Sequence, residues 1–406
     1  MPEAVIVSTA RTPIGRAFKG SLIEMRPDDL AAIAVKAALA KVPNLDPASV
    51  EDLMIGCAQP AGEQGYNLAR VVSLLAGLDS PGVTVNRYCS SSLQTIRMAA
   101  HAIKAGEGDV FVAAGVECVS RFGLGKADGM ENTKNPKFSA AEERMAELMT
   151  PDGGNWELGD GIADVYITML QTAENVAQHM AISREAQDEF AALSQQRAEA
   201  AQKSGHFSKE ITPVTTPSGT LVDTDDCPRH GTTAEKLAAL KPVLLGQLGD
   251  RATVTAGNAC PLNDGAAAVI VMSDKRAQQL GIKPLARIVS TGVSAINPEI
   301  MGLGPVDATK QALRRAGLTS KDIDLFEINE AFAAQVIPSA LELGIPLDKL
   351  NVNGGAIALG HPFGQTGARI MTTLINNLQS RGARYGVETM CVGGGQGMAA
   401  VIERLD

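Results

Sequence analysis

Ile6-Val7-Ser8-Thr9, close to the start of the chain, returns as Ile288-Val289-Ser290-Thr291. Each copy runs on into a helical pattern, around Lys36-Ala37-Ala38-Leu39 in one case and Lys310-Gln311-Ala312-Leu313 in the other. Asp52-Leu53-Met54-Ile55 is then matched by Asp324-Leu325-Phe326-Glu327, and Val83-Thr84-Val85-Asn86 by Leu350-Asn351-Val352-Asn353. Asp109 to Gly115 and Glu388 to Gly393 close the two series as strands. Short apolar matches recur by chance, but several in the same order argue for an internal repeat. Strands alternating with helices of about ten or more residues predict an α/β fold, a sheet with helices on its faces. Two such units in one chain predict pseudo-twofold packing, with equivalent loops meeting near the axis.

Between the halves the texture changes. From about 121 to 250, charged residues, Gly and Pro cluster, and the single Trp (Trp156) falls here. A helical pattern from Thr172 to Lys203 keeps a 3.6 period only in part, which predicts a break near Ser183. We read 121–250 as an inserted loop domain covering the mouth of a site built by the halves. Residues 1–120 with 251–283 form the first half in this reading, and 284–406 the second.

The 406 residues carry a net charge of −9, with 36 Lys plus Arg against 45 Asp plus Glu. No basic excess exists for generic nucleic-acid or anionic-membrane binding, although a local basic pocket could still hold an anionic ligand. No apolar run approaches the roughly 18 residues a spanning helix needs, and no secretory signal is visible. The six cysteines (57, 89, 118, 227, 260 and 391) form no Cys-x-x-Cys pair. Cys227 and His230 are the one close Cys/His pair, and no second pair follows at zinc spacing. The expectation is a reduced, cytoplasmic protein without a metal.

Three stretches carry candidate chemistry. In Val85-Asn86-Arg87-Tyr88-Cys89-Ser90-Ser91-Ser92-Leu93 a strand ends, one of three serines can cap a helix, and Leu93, Ile96, Ala100 and Ile103 follow at helical spacing. Cys89 thus sits at a helix N-terminus, where the dipole favours thiolate, and a buried structural cysteine is the competing reading. Gly354-Gly355-Ala356-Ile357-Ala358-Leu359-Gly360-His361-Pro362 is the counterpart loop by the repeat register. His361 is the one histidine of five in a glycine-lined turn, suited to taking a thiol proton or holding a carbonyl oxygen, or else serving the turn alone. In Cys391-Val392-Gly393-Gly394-Gly395 a cysteine ends a strand before amides able to form an oxyanion hole, the alternative being plain strand packing. Asn329-Glu330-Ala331-Phe332 adds Asn329, which fits either a helix cap or a hold on water or a carbonyl oxygen.

Taken together, these motifs, with Gly257-Asn258-Ala259 and Asn263-Asp264-Gly265-Ala266-Ala267, resemble the thiolase family of acetyl-CoA acyltransferases and 3-ketoacyl-CoA thiolases over essentially the whole chain. The resemblance implies a layered αβαβα fold whose inserted loop domain binds coenzyme A. It implies Cys89 as acylated nucleophile, His361 as its activator and Cys391 as the acid/base at the α-carbon. His361 and a water on Asn329 then support the enolate oxygen, and the amides of Cys89 and Gly393 form a second oxyanion hole. Arg229 looks like the contact to the nucleotide end of CoA, with a solvated loop arginine as competitor. Met169, Ala256, Cys260 and Phe332 are the further expected substrate contacts. The implied partners are acyl-CoA and CoA as substrates, a second copy or copies in a homodimer or homotetramer, and a β-oxidation enzyme; no cofactor is implied. Activity is expected to fall on the acid side as His361 takes a proton.

Departures from the family pattern are local. Cys260-Pro261 replaces Ser-Gly, Ser91-Ser92-Leu93 replaces Ser-Gly-Leu, and Thr168-Met169 replaces the His-Met of several short-chain members. Three other readings compete: a ketoacyl synthase, an acyl-CoA binder with a dead site, and a cysteine protease. The second catalytic cysteine argues against the first, the filled motif positions against the second, and the order Asn329 before His361 against the third.

Overall fold

The computed structural model describes residues 2–405, and in it the repeat becomes one folded sheet. The first half supplies strands β1 (Ala4–Arg11), β2 (Gly15–Arg16), β3 (Asp52–Gly56), β4 (Gly82–Val85) and β5 (Val110–Cys118). Strands β6 (Val214–Thr215) and β7 (Leu221–Val222) pair with each other inside the insertion, and β8 (Asn263–Ser273) returns to the main sheet. The second half supplies β9 (Ala286–Ala295), β10 (Leu325–Ile328), β11 (Tyr385–Val392) and β12 (Gln396–Arg404). The order is β10-β11-β12-β9-β1-β8-β5-β3-β4, with β2 beside β8.

The symmetry lies in the pairing directions. β3–β5 is parallel while β5–β8 and β8–β1 are antiparallel. Likewise β10–β11 is parallel while β11–β12 and β12–β9 are antiparallel. β4 runs parallel to β3, and its counterpart is reduced to one parallel bridge between Phe326 and Leu350. The sequence repeat closes each half at β5 and β11; the structure adds one more antiparallel strand to each, β8 and β12. β12 follows β11 after a tight glycine turn, whereas β8 is parted from β5 by the whole insertion, which hides the equivalence in the sequence.

Helices α1 (Pro27–Ala40), α2 (Leu68–Ala76) and α3 (Ser91–Ala105) belong to the first half. The insertion holds α4 (Ser139–Leu148), α5 (Met169–His179), α6 (Arg184–Lys203), α7 (Ala234–Ala238) and α8 (Leu245–Leu248). After β8 come α9 (Asp274–Gln279), α10 (Gly304–Ala316), α11 (Ala333–Leu343), α12 (Ala356–Leu359) and α13 (Thr366–Arg381). Alternate residues of each strand face opposite sides, and both sides are covered. On β8, Ala266, Ala268, Ile270 and Met272 pack towards α1 and α2, while Ala267, Val269 and Val271 face α3 and α13. On β12, Met398, Ala400 and Ile402 face that same central pair, and Ala399 and Val401 face α10 and α11. The result is five layers, αβαβα, with α3 and α13 in the middle. Burial on both faces explains why β8 reads as a continuous run of small apolar residues rather than an alternation.

The break in the insertion helix is where the pattern placed it. α5 ends at His179, and α6 starts after Ser183, whose Oγ accepts the Ala186 N–H at 3.2 Å. Arg11 on β1 ties the insertion to the sheet. Fully buried, it donates to Glu210 at 3.1 Å and to both oxygens of Asp225 at 2.7 and 2.9 Å.

Candidate active site

β4 ends beside β3, and the chain turns through Tyr88 at φ +41° before Cys89 and α3. A tyrosine at positive φ is strained, and its neighbours hold it there. Asn86 Oδ1 accepts the Tyr88 N–H at 2.8 Å, and Ser91 Oγ donates to the Tyr88 carbonyl at 2.7 Å. The serines do not cap α3 as expected. Ser91 also accepts the Arg87 N–H at 2.9 Å, and Ser92 accepts Ala368 N–H of α13 at 2.9 Å. These hydroxyls lock the nucleophile turn and join the two central helices.

Cys89 lines a cavity of about 330 Å³, whose apolar wall includes Val165, Ile167, Met169 and Phe363. Burial pushes its thiol up to about 11, against hydrogen bonds from the Gly393 amide and its own. The helix-terminal setting therefore does not make Cys89 a standing thiolate: desolvation outweighs the dipole, and the thiol needs a base. Cys391, fully buried on β11, has its thiol pushed well up by burial, with the neighbouring sulfurs of Cys89 and Cys260 adding to the effect. Three sulfurs from distant parts of the chain thus share one neighbourhood.

The turn from β11 to β12 aims the Gly393 amide. Gly394 and Gly395 sit at φ +76° and +79°. A Cβ on Gly395 would lie 2.3 Å from the Ile296 carbonyl oxygen, so the turn closes only with glycine there.

His361 reaches the site on the loop between α12 and α13. Asn263 Oδ1 accepts its N–H at 2.8 Å. Its ring packs edge-on against Phe363, with centroids 5.2 Å apart. Nδ1 lies 2.6 Å from Thr366 Oγ1, and that hydroxyl donates to the Pro362 carbonyl at 2.8 Å. The Thr366 oxygen must then accept, which places the imidazole proton on Nδ1 and the lone pair on Nε2. Nε2 lies 3.3 Å from Asn329 Nδ2. Asn329 Oδ1 is buried with no hydrogen-bond partner among the described residues, open to a donor on a ligand or water. Burial, with Arg369 behind it, brings His361 down to about 3, so it is a neutral base throughout the ordinary range. The expected loss of activity on the acid side is therefore displaced far below the usual imidazole range.

The remaining predicted contacts divide. Met169 is on the Cys89 cavity, and buried Phe332 packs in the apolar cluster that holds Cys391. Cys260 is tied down by its N–H to the Ala331 carbonyl at 3.0 Å, and burial and Cys89 together raise its thiol. Arg229 and Ala256 instead line a narrower cleft of about 80 Å³ with Arg16 and Pro261. Pro261 follows Cys260 directly, so this dipeptide joins the sulfur cluster to the Arg229 cleft.

Sequence reasoning missed three positioning residues: Thr366, Asn263 and Glu117. Fully buried Glu117, at the end of β5, accepts the N–H groups of Ala58 (2.8 Å), Gln59 (3.2 Å) and Gly364 (3.0 Å) and Gln64 Nε2 (2.6 Å). It thereby clamps the His361 loop to the nucleophile half, although burial pushes its carboxyl up to about 7. The available signal was a lone carboxylate inside the apolar run Val110-Phe111-Val112-Ala113-Ala114-Gly115-Val116-Glu117. Glu330 likewise accepts from Ser194 Oγ (2.6 Å), Asn351 Nδ2 (2.8 Å) and the Ile357 N–H (3.1 Å), holding α6 against the loop before His361.

Comparison with known proteins identifies the family. The family model for the thiolase N-terminal domain matches residues 4–275, and that for the thiolase C-terminal domain matches residues 282–404. The chain is 45% identical over 417 residues to a beta-ketoadipyl-CoA thiolase of Acinetobacter baylyi, covering 100% of both. It is 44% identical to a 3-ketoacyl-CoA thiolase of Bacillus subtilis, covering 99% of this chain and 100% of that one. It is 43% identical over 416 residues to an acetyl-CoA acetyltransferase of Cupriavidus necator, again over 100% of both. With both family models matched and such relatives aligned end to end, this chain belongs to the thiolase family and is an acyltransferase.

Proposed function

We propose that the chain cleaves 3-ketoacyl-CoA with coenzyme A, giving acetyl-CoA and an acyl-CoA shortened by two carbons, and runs the reverse Claisen condensation at the same site. The observation that supports this reading is that Cys89 and Gly393 line one cavity, the Gly393 amide donates to the Cys89 sulfur, and buried Cys391 is close enough for the Cys89 sulfur to act on its thiol. His361 Nε2 takes the Cys89 proton, and the thiolate attacks the ketone carbon. The oxygen that turns negative is held by the amides of Cys89 and Gly393. Breaking the carbon–carbon bond leaves an acyl thioester on Cys89 and the enolate of acetyl-CoA, whose oxygen is supported by His361 and Asn329. Cys391 S–H donates its proton to the enolate carbon, then recovers one from the incoming CoA thiol. The CoA thiolate takes the acyl group, and Cys89 regains its proton from His361. Coenzyme A is a substrate here, and Arg229 holds its nucleotide end in the adjoining cleft.

The space beyond Cys89 supports a chain longer than acetoacetyl, because Val165, Ile167 and Met169 offer apolar wall that a methyl group would not cover. Comparing kcat/KM for acetoacetyl-CoA, 3-ketohexanoyl-CoA and 3-oxoadipyl-CoA tests both parts. The expected result is cleavage of all detectable substrates through Cys89 and higher kcat/KM for a longer chain. No thiolysis of any of them contradicts the reaction, and a preference for acetoacetyl-CoA contradicts the length.

A further inference from the structure

α3 leads away from Cys89 and carries Arg97, His101 and Lys104 at spacings of four and three, which places them along one helix face. Arg315, near the end of α10, borders the same space, and the four residues line a cavity of about 310 Å³ with Ala100 and Ile288 to Thr291 of β9. This cavity shares no lining residue with the Cys89 cavity or the Arg229 cleft. His101 and Arg315 are exposed, while Arg97 and Lys104 are half-buried.

Four cationic or cation-forming groups in a protein of net charge −9 would ordinarily be interleaved with carboxylates. Here, among the described residues, none of the four is in an ion pair. Their partners inside the protein are neutral. Arg315 Nη1 donates to the Thr291 carbonyl at 2.6 Å, Lys104 Nζ to the Ile288 carbonyl at 3.4 Å, and Arg97 Nη1 to Gln94 Oε1 at 3.4 Å. Arg97 Nε is buried with no hydrogen-bond partner among the described residues. The groups also oppose one another: burial, then Arg97, Lys104 and Arg315, lower the proton affinity of His101. Like charges gathered around one concavity raise the local concentration of anions and are relieved when one binds.

We infer that this cavity is a binding site for a diphosphate-bearing anion, separate from the catalytic site. Several cationic donors from two helices converge, which suits an oxygen-rich group with more than one negative charge better than a single carboxylate. The cavity is also larger than a lone inorganic phosphate would fill.

Calorimetric titration of the full chain with inorganic pyrophosphate, at low ionic strength, tests the site. The wild-type chain and the Arg229→Ala variant should both bind. Lys104→Ala and Arg315→Ala should each weaken binding about tenfold, and Arg315→Ala should leave the thiolysis rate unchanged. The inference is overturned if wild type gives no binding heat, if Arg315→Ala binds as tightly as wild type, or if Arg229→Ala is the variant that loses binding.

Discussion

Thr366 Oγ1 accepts the Nδ1 proton of His361 at 2.6 Å because its own hydrogen is committed to the Pro362 carbonyl at 2.8 Å. That one commitment fixes the tautomer and leaves Nε2 free to act as the base. Replacing Thr366 with Val removes the acceptor and lets the imidazole flip or change tautomer. We expect Thr366→Val to lower kcat about tenfold with KM for CoA unchanged, and Thr366→Ser to restore most of it. Steady-state thiolysis kinetics check this, and a Val variant at wild-type kcat would remove Thr366 from the account.

The pH dependence follows from burial. With His361 brought down to about 3 and Cys89 pushed up to about 11, neither group titrates between about pH 5 and pH 8. The kcat/KM profile should therefore be flat across that window, and an acid limb centred near an ordinary imidazole value would contradict the buried base. The same shift has a stability sign. The unfolded chain binds the His361 proton before the folded one does, so stability drains as pH falls from about 6.5 towards 3. Thermal melts should show a falling midpoint on acidification, and His361→Asn should lessen that slope.

The two glycines of the β11–β12 turn should respond differently to alanine. At Gly393 a new Cβ meets only the Tyr88 ring at 3.5 Å, an ordinary contact, and the amide is retained. At Gly395 the residue is at φ +79° and the Cβ would be 2.3 Å from the Ile296 carbonyl oxygen. Gly393→Ala should keep activity within about threefold, whereas Gly395→Ala should lose at least about a hundredfold as the turn shifts and the amide leaves Cys89. Equal kinetics for the two variants would show that the turn does not aim that amide.

Glu117 should carry a measurable share of stability. Glu117→Gln turns a four-donor acceptor into a group whose NH₂ faces backbone N–H donors. The expected cost is about 1–3 kcal/mol in denaturant unfolding, with a larger drop in kcat than in CoA affinity because Gly364 belongs to the His361 loop. An unchanged midpoint would mean that the clamp contributes nothing.

The chain's own text carried the architecture further than the chemistry. The Ile6 and Ile288 copies became β1 and β9, and the break near Ser183 became the gap between α5 and α6, because strand and helix periods are local properties. β8 escaped as a repeat member because its equivalent position lies beyond a long insertion. The roles of Asn263 and Glu117 were hidden for a related reason: each acts on the His361 loop, brought to it by packing from 98 and 247 residues away, whereas Thr366 is local to that loop and its role depends on the geometry of the turn. The protonation of Cys89 and His361 was likewise misread from the helix end and the free imidazole, since desolvation exists only once the layers close.

The division of labour between the two cysteines is the centre of the account. Wild-type protein and the Cys89→Ala and Cys391→Ala variants should be exposed to acetyl-CoA, quenched in acid, digested and read by mass spectrometry. The account predicts an acetyl group on Cys89 in wild type and in Cys391→Ala, none in Cys89→Ala, and no carbon–carbon bond cleavage by either variant. An acetyl group found on Cys391 or Cys260 in wild type would contradict it.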